Sequence, residues 1–71
     1  MHPLDFFTEK RLLRFIEKFR EQSGELPTLQ SFKEAGFSRE QVETAVKRNL
    51  IELFYVTLTN GTIVKTFKVR Q

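Results

Sequence analysis

The 71-residue sequence has no cysteine. That excludes a disulfide scaffold and the zinc modules that depend on thiolate ligands. Its one histidine, His2, cannot form a metal cluster alone; it falls in what reads as a frayed terminus and is assigned no role. No apolar run approaches the roughly 18 residues of a membrane-spanning helix. The start, Met-His-Pro-Leu-Asp-Phe-Phe-Thr-Glu-Lys, has no basic stretch leading into an apolar one and does not read as a secretory signal. These features lead to the expectation of a cytoplasmic protein with no membrane contact. Gly24, Gly36 and Gly61 are the only glycines, and they lie too far apart to build a phosphate-cradling loop. Ser38 has no histidine near it in sequence, so no nucleophilic pair is legible. Neither an enzyme nor a cofactor is expected.

What remains is a single small domain, with 39% hydrophobic residues and a net charge of +3. Without a staple, a fold of this size rests on well-made local structure and good packing. The charge is uneven. Residues 1–44 hold seven basic and eight acidic side chains, whereas residues 45–71 hold five basic (Lys47, Arg48, Lys65, Lys68, Arg70) and one acidic, Glu52. Clustered basic surface attracts polyanions, although a charged segment also serves as a solvated face.

Three helices are legible. From Thr8 to Gln22, Leu12, Phe15, Ile16 and Phe19 recur at helical spacing. Thr8 is the expected N-cap, Asp5 a competing one a turn earlier, and Gly24 the stop. Phe6 and Phe7 fit the stripe poorly. Leu26-Pro27 reads as an extended connection with room for a minimal third strand. Thr28 then caps a second helix to about Ala35, with Leu29, Phe32 and Ala35 as its apolar side and Gly36 as its end. Ser38-Arg39-Glu40-Gln41 fits a capping box. It opens a third helix that runs to about Asn49 and buries Val42, Ala45, Val46 and Asn49. Two capped helices joined by so short a glycine turn form a helix-turn-helix signature.

From Ile51 the period changes to two. Asn60-Gly61 suits a two-residue type I′ hairpin turn. That loop pairs Thr59 with Thr62, Leu58 with Ile63, Val56 with Lys65 and Phe54 with Phe67. The face to bury is then Phe54, Val56, Leu58, Ile63, Phe67 and Val69. The expected fold class is α+β: a winged helix-turn-helix, with three helices followed by a C-terminal two-stranded β-hairpin wing. It occupies residues 1–71, with 1–7 as a frayed or packing N-terminal arm.

Thr8-Glu9-Lys10-Arg11, Phe15-Ile16, Gly24, Leu26-Pro27-Thr28, Phe32, Gly36-Phe37 and Ser38 together resemble the N-terminal DNA-binding domain of LexA-type repressors. The resemblance spans about residues 8–69. Asn49-Leu50-Ile51 stands where that family usually has a glycine before its first wing strand. The resemblance implies a recognition helix at residues 39–48 and a wing at 57–65. It does not extend to the self-cleavage or oligomerisation of the full-length family members.

A recognition helix enters the major groove. On a helical wheel Glu40, Thr44 and Lys47 form the outward spine of the third helix, flanked by Glu43 and Arg48, with Arg39 to one side near the N-terminal end. Lys47 and Arg48 suit phosphates or guanine edges, and Thr44 suits a thymine methyl or a phosphate. Lys65 on the hairpin can reach a neighbouring phosphate. Glu40 and Glu43 argue the other way, since a carboxylate repels phosphate unless it accepts from a cytosine amino group. Glu43 and Lys47 also form an i,i+4 pair. The expected function is sequence-specific binding of double-stranded DNA by a small transcriptional regulator. The alternative is a protein-interaction module or inhibitor on the same fold. Phe6, Phe7 and Tyr55 are then the candidate surface for a homodimer or another protein, unless the N-terminal turn folds back over the core.

Overall fold

The computed structural model describes residues 4–70; His2 lies outside them. The chain forms α1 (Phe6–Ser23), α2 (Leu29–Glu34), α3 (Arg39–Lys47), β1 (Ile51–Thr57) and β2 (Ile63–Val69). This is an α+β architecture of three helices followed by an antiparallel hairpin, consistent with a winged-helix layout. Among the described residues no helix is long and apolar enough to cross a membrane.

The helix ends follow from local chemistry. Asp5, not Thr8, caps α1: its carboxylate accepts the Thr8 backbone N–H at 2.7 Å. A charged acceptor at this end also meets the positive pole of the helix. The earlier start places Leu4 in the core, where it is buried. The N-terminal turn thus folds inward through Leu4, while Phe6 and Phe7 remain 63% and 77% exposed. At the start of α3 the capping box is reciprocal: Gln41 N–H donates to Ser38 Oγ at 3.1 Å, and Ser38 N–H to Gln41 Oε1 at 2.9 Å.

Two helices end in the same way. After α2, Gly36 takes a φ of 97° and Phe37 N–H reaches back to the Phe32 carbonyl at 2.9 Å. This is a Schellman closure, and its accompanying apolar contact is the Phe32–Phe37 ring pair, edge-on at 6.0 Å. After α3, Asn49 takes the left-handed role with φ 61°, and Leu50 N–H bonds the Ala45 carbonyl at 3.0 Å. Asn49 is therefore exposed and beyond the helix, not on its buried side. Asparagine is among the few residues besides glycine that adopt this conformation routinely.

The hairpin differs from expectation by one residue. Leu53 pairs with Phe67, Tyr55 with Lys65 and Thr57 with Ile63. Gly61 N–H closes a turn on the Leu58 carbonyl at 2.9 Å, and Gly61 itself carries the positive φ, 89°. Asn60 does not, so the turn is not type I′. Its side-chain Oδ1 instead accepts the Thr62 N–H at 2.9 Å. That local bond favours a bulged, longer loop over the two-residue form. A slip of one residue exchanges the faces of a strand. Leu53 joins Phe67 on the inner face, with Ile51 and Val69 beyond them, whereas Phe54, Val56 and Leu58 turn outward.

Leu12 and Ile16 of α1, Phe32 of α2, Val42 and Ala45 of α3, and Ile51 and Phe67 of the hairpin make the core together with Leu4 and Phe37. Phe32 is its hub, with the rings of Phe15, Phe37 and Phe67 at 5.2, 6.0 and 5.4 Å. The extended segment after Leu26 does add a minimal third strand: Thr28 bridges Thr66, and Phe67 N–H donates to the Pro27 carbonyl at 3.0 Å. This tie, with the Phe32–Phe67 contact, fixes the hairpin against the helices.

Candidate nucleic-acid interface

Arg39, Glu43 and Lys47 follow one another at i,i+4 on α3, so they share a face. The hairpin register puts Lys65 on the same face as Leu53 and Phe67. These two faces meet in a groove of about 260 Å³. Its floor is apolar, formed by Leu29, Val42, Val46, Leu53 and Phe67. Its charged lining is Arg39, Glu43, Lys47 and Lys65.

Within that lining, Arg39 Nε donates to Glu43 Oε1 at 2.8 Å. The expected partner of Glu43 was Lys47. Both candidates stand one turn away, and Arg39 takes the carboxylate. Both side chains of the pair are largely exposed, so it adds little to stability. Its effect is on the field: the only carboxylate of the groove is already matched by a guanidinium. Among the described residues, Lys47 and Lys65 are in no ion pair.

Four of the seven candidate DNA-contacting residues therefore converge on one groove. Glu40 and Thr44 belong to α3 but do not line it. The Thr44 hydroxyl donates to the Glu40 carbonyl at 2.8 Å, within the helix. Arg48 is directed elsewhere. Its Nη1 donates to the Leu4 carbonyl at 3.1 Å and lies 3.8 Å from Glu9 Oε2. It thereby ties the end of α3 to the start of α1.

The apolar floor was not anticipated, because Leu53 was expected on the outer face of the hairpin. Tyr55 is 65% exposed and lies outside the groove, on the inner face of the hairpin beyond Leu53. Phe6 and Phe7 contact each other edge-on at 5.7 Å, and the Lys10 ammonium sits 5.3 Å from the Phe6 ring centre. No cluster of metal-ligating side chains occurs among the described residues. The chain matches no protein-family model, no curated protein and no solved structure.

Proposed function

We propose that the protein binds double-stranded DNA in a sequence-specific manner, as a small, non-catalytic regulator of transcription in the cytoplasm. The observation that carries this reading is the convergence of Arg39, Lys47 and Lys65, from two elements, on one groove whose sole carboxylate is paired. The order of elements, and the resemblance of the sequence motifs to those of LexA-type DNA-binding domains, add support. In this reading α3 enters the major groove. Lys47 and Lys65 neutralise phosphates on either side of the helix–hairpin cleft. Arg39, in the first turn of α3, is placed to read a guanine edge. Thr44 offers its methyl group to thymine, and Glu40 accepts from a cytosine amino group. Arg48, held by the Leu4 carbonyl, belongs to the framework.

Titration of the ¹⁵N-labelled protein with a mixed-sequence duplex at low salt tests the reading. Amide shifts are expected from Ser38 to Lys47 and at Lys65. A duplex that moves none of them removes DNA as the ligand.

A second reading, a protein-interaction module acting through a homodimer or another protein, is favoured by a different observation. Phe54, Tyr55, Val56, Leu58 and Ile63 are all exposed on the hairpin. A wing that met only phosphate would not need so much apolar surface. Sedimentation and duplex titration separate the two readings.

A further inference from the structure

We propose that the groove between α3 and the hairpin binds a small amphipathic carboxylate, with its apolar tail on the floor and its carboxylate at Lys47 and Lys65. The argument rests on shape and charge together. The groove, about 260 Å³, falls just below the usual range of ligand pockets and suits only a short aliphatic chain or a single ring. Val42, Val46, Leu53 and Phe67 offer such a tail only apolar contact.

The charge at the mouth selects the head group. Lys47 and Lys65 have no carboxylate partner among the described residues, while Glu43 is held by Arg39. A cationic head group would meet two unpaired like charges, Lys47 and Lys65, and no free carboxylate. A neutral one would leave the two ammonium groups unmatched. A compact inorganic anion would gain nothing from the floor. A carboxylate with an apolar tail uses both halves of the site.

The proposal goes beyond DNA binding and does not depend on it. The two are linked only through shared cations: a carboxylate seated at Lys47 and Lys65 takes the groups that the duplex would engage. Where both ligands bind, each displaces the other.

The test uses octanoate, 1-octanol and acetate as probes of the ¹⁵N,¹³C-labelled full chain. Octanoate is expected to shift the side-chain signals of Val42, Val46, Leu53 and Phe67, octanol to bind more weakly, and acetate to leave the floor signals in place. Lys47→Gln and Lys65→Gln, both at exposed positions, should each weaken octanoate by roughly two- to five-fold, as for a solvent-facing ion pair, and leave octanol unchanged. The proposal is overturned if octanoate leaves the floor signals unmoved or shifts only Phe54, Val56 and Leu58 on the outer face. Octanol binding as tightly as octanoate overturns it too. Duplex titration of the same sample is scored separately. Octanoate in the groove with no response to DNA removes the DNA reading alone, and the converse removes only this proposal.

Discussion

Arg39 holds Glu43 through Nε at 2.8 Å across one turn of α3, and this contact sets the charge that the groove shows to a polyanion. Removing the arginine lowers the net charge of the groove by one, as removing Lys47 does, but it also leaves the Glu43 carboxylate without its partner and free to turn toward the phosphates. Arg39→Ala should therefore weaken binding to any duplex more than Lys47→Ala does. Glu43→Gln should strengthen non-specific binding, and the Arg39→Ala/Glu43→Gln double variant should recover part of the loss. Lys47→Ala and Lys65→Ala should each flatten the log–log salt dependence by about 0.9, the value for one phosphate contact. Fluorescence anisotropy over a salt series measures all of these. Equal losses for Arg39→Ala and Lys47→Ala would mean that the ion pair does not shape the field.

Arg48 makes the opposite prediction. Its hydrogen bond to the Leu4 carbonyl joins residues 44 positions apart, and Leu4 is buried. Arg48→Ala should cost about 1 kcal/mol, the typical net worth of such a bond. It should leave the salt dependence of duplex binding unchanged. A denaturant midpoint unaltered by the substitution, together with a shallower salt slope, would return Arg48 to the DNA face.

Backbone conformation gives a third test, at two places. Gly61 has φ 89° and Asn49 has φ 61°. Gly61→Val should destabilise by at least about 1 kcal/mol, since a β-branched residue is a poor fit to positive φ. Asn49→Gly should be neutral or slightly stabilising, and Asn49→Val should be costly. Thermal melts of the three variants give the order directly. If Gly61→Val and Asn49→Val melt with the wild type, the bulged turn and the closure of α3 are wrong.

The features legible in the sequence were those decided within a few residues. Ser38 and Gln41 stand three apart and bond to each other wherever the rest of the chain goes. Gly36 stops α2 for a reason contained in its own backbone. The hairpin register was different, because Asn60-Gly61 serves either as the centre of a type I′ turn or as the close of a bulged one. Hydrophobic alternation normally breaks such a tie. Here Leu53 and Tyr55 on one side of β1 face Phe54 and Val56 on the other, so both faces are apolar and the pattern carries no preference. The choice fell to the Asn60–Thr62 bond and to packing of Phe67 on Phe32. The groove was legible in its cations but not in its floor, because the floor needs the register. The partner of Glu43 was likewise open: Arg39 and Lys47 stand at the same spacing on either side of it.

Acid stability should report on Asp5. The Thr8 backbone N–H that it accepts, with a smaller contribution from the Thr8 side chain, holds its carboxyl below the ordinary value of 3.8. A pKa lower in the folded than in the unfolded chain adds stability above the unfolded value, and that stability is lost as pH falls through the folded value. Asp5→Asn keeps a capping oxygen but cannot titrate. The gap in melting temperature between wild type and Asp5→Asn should be constant above about pH 5 and should shrink below pH 3.8. A gap that is the same at pH 2 and pH 6 would show that the charge of Asp5 is irrelevant to the cap.

The free edge of the hairpin is a candidate protein-binding surface. β1 is hydrogen-bonded to β2 on one side, and no backbone bond engages its other edge among the described residues. From Leu53 to Thr57 that strand carries no charge, which is the kind of edge that folded proteins usually protect. Tyr55 and Ile63, 65% and 64% exposed, lie on one face, and Phe54 and Val56 on the other. The wild-type chain should therefore self-associate at high concentration in sedimentation velocity. Tyr55→Glu puts a carboxylate directly across from Lys65, a favourable cross-strand pair. Ile63→Lys adds a charge near the tip. Both changes should dissolve the association and alter stability by no more than about 0.5 kcal/mol, as for exposed sites. Phe6→Gln and Phe7→Gln should be equally mild for folding, and they divide the two patches: association that survives at Tyr55→Glu but not at Phe6→Gln moves the interface to α1. Monomers at every concentration would exclude the homodimer and leave the hairpin to a different protein partner.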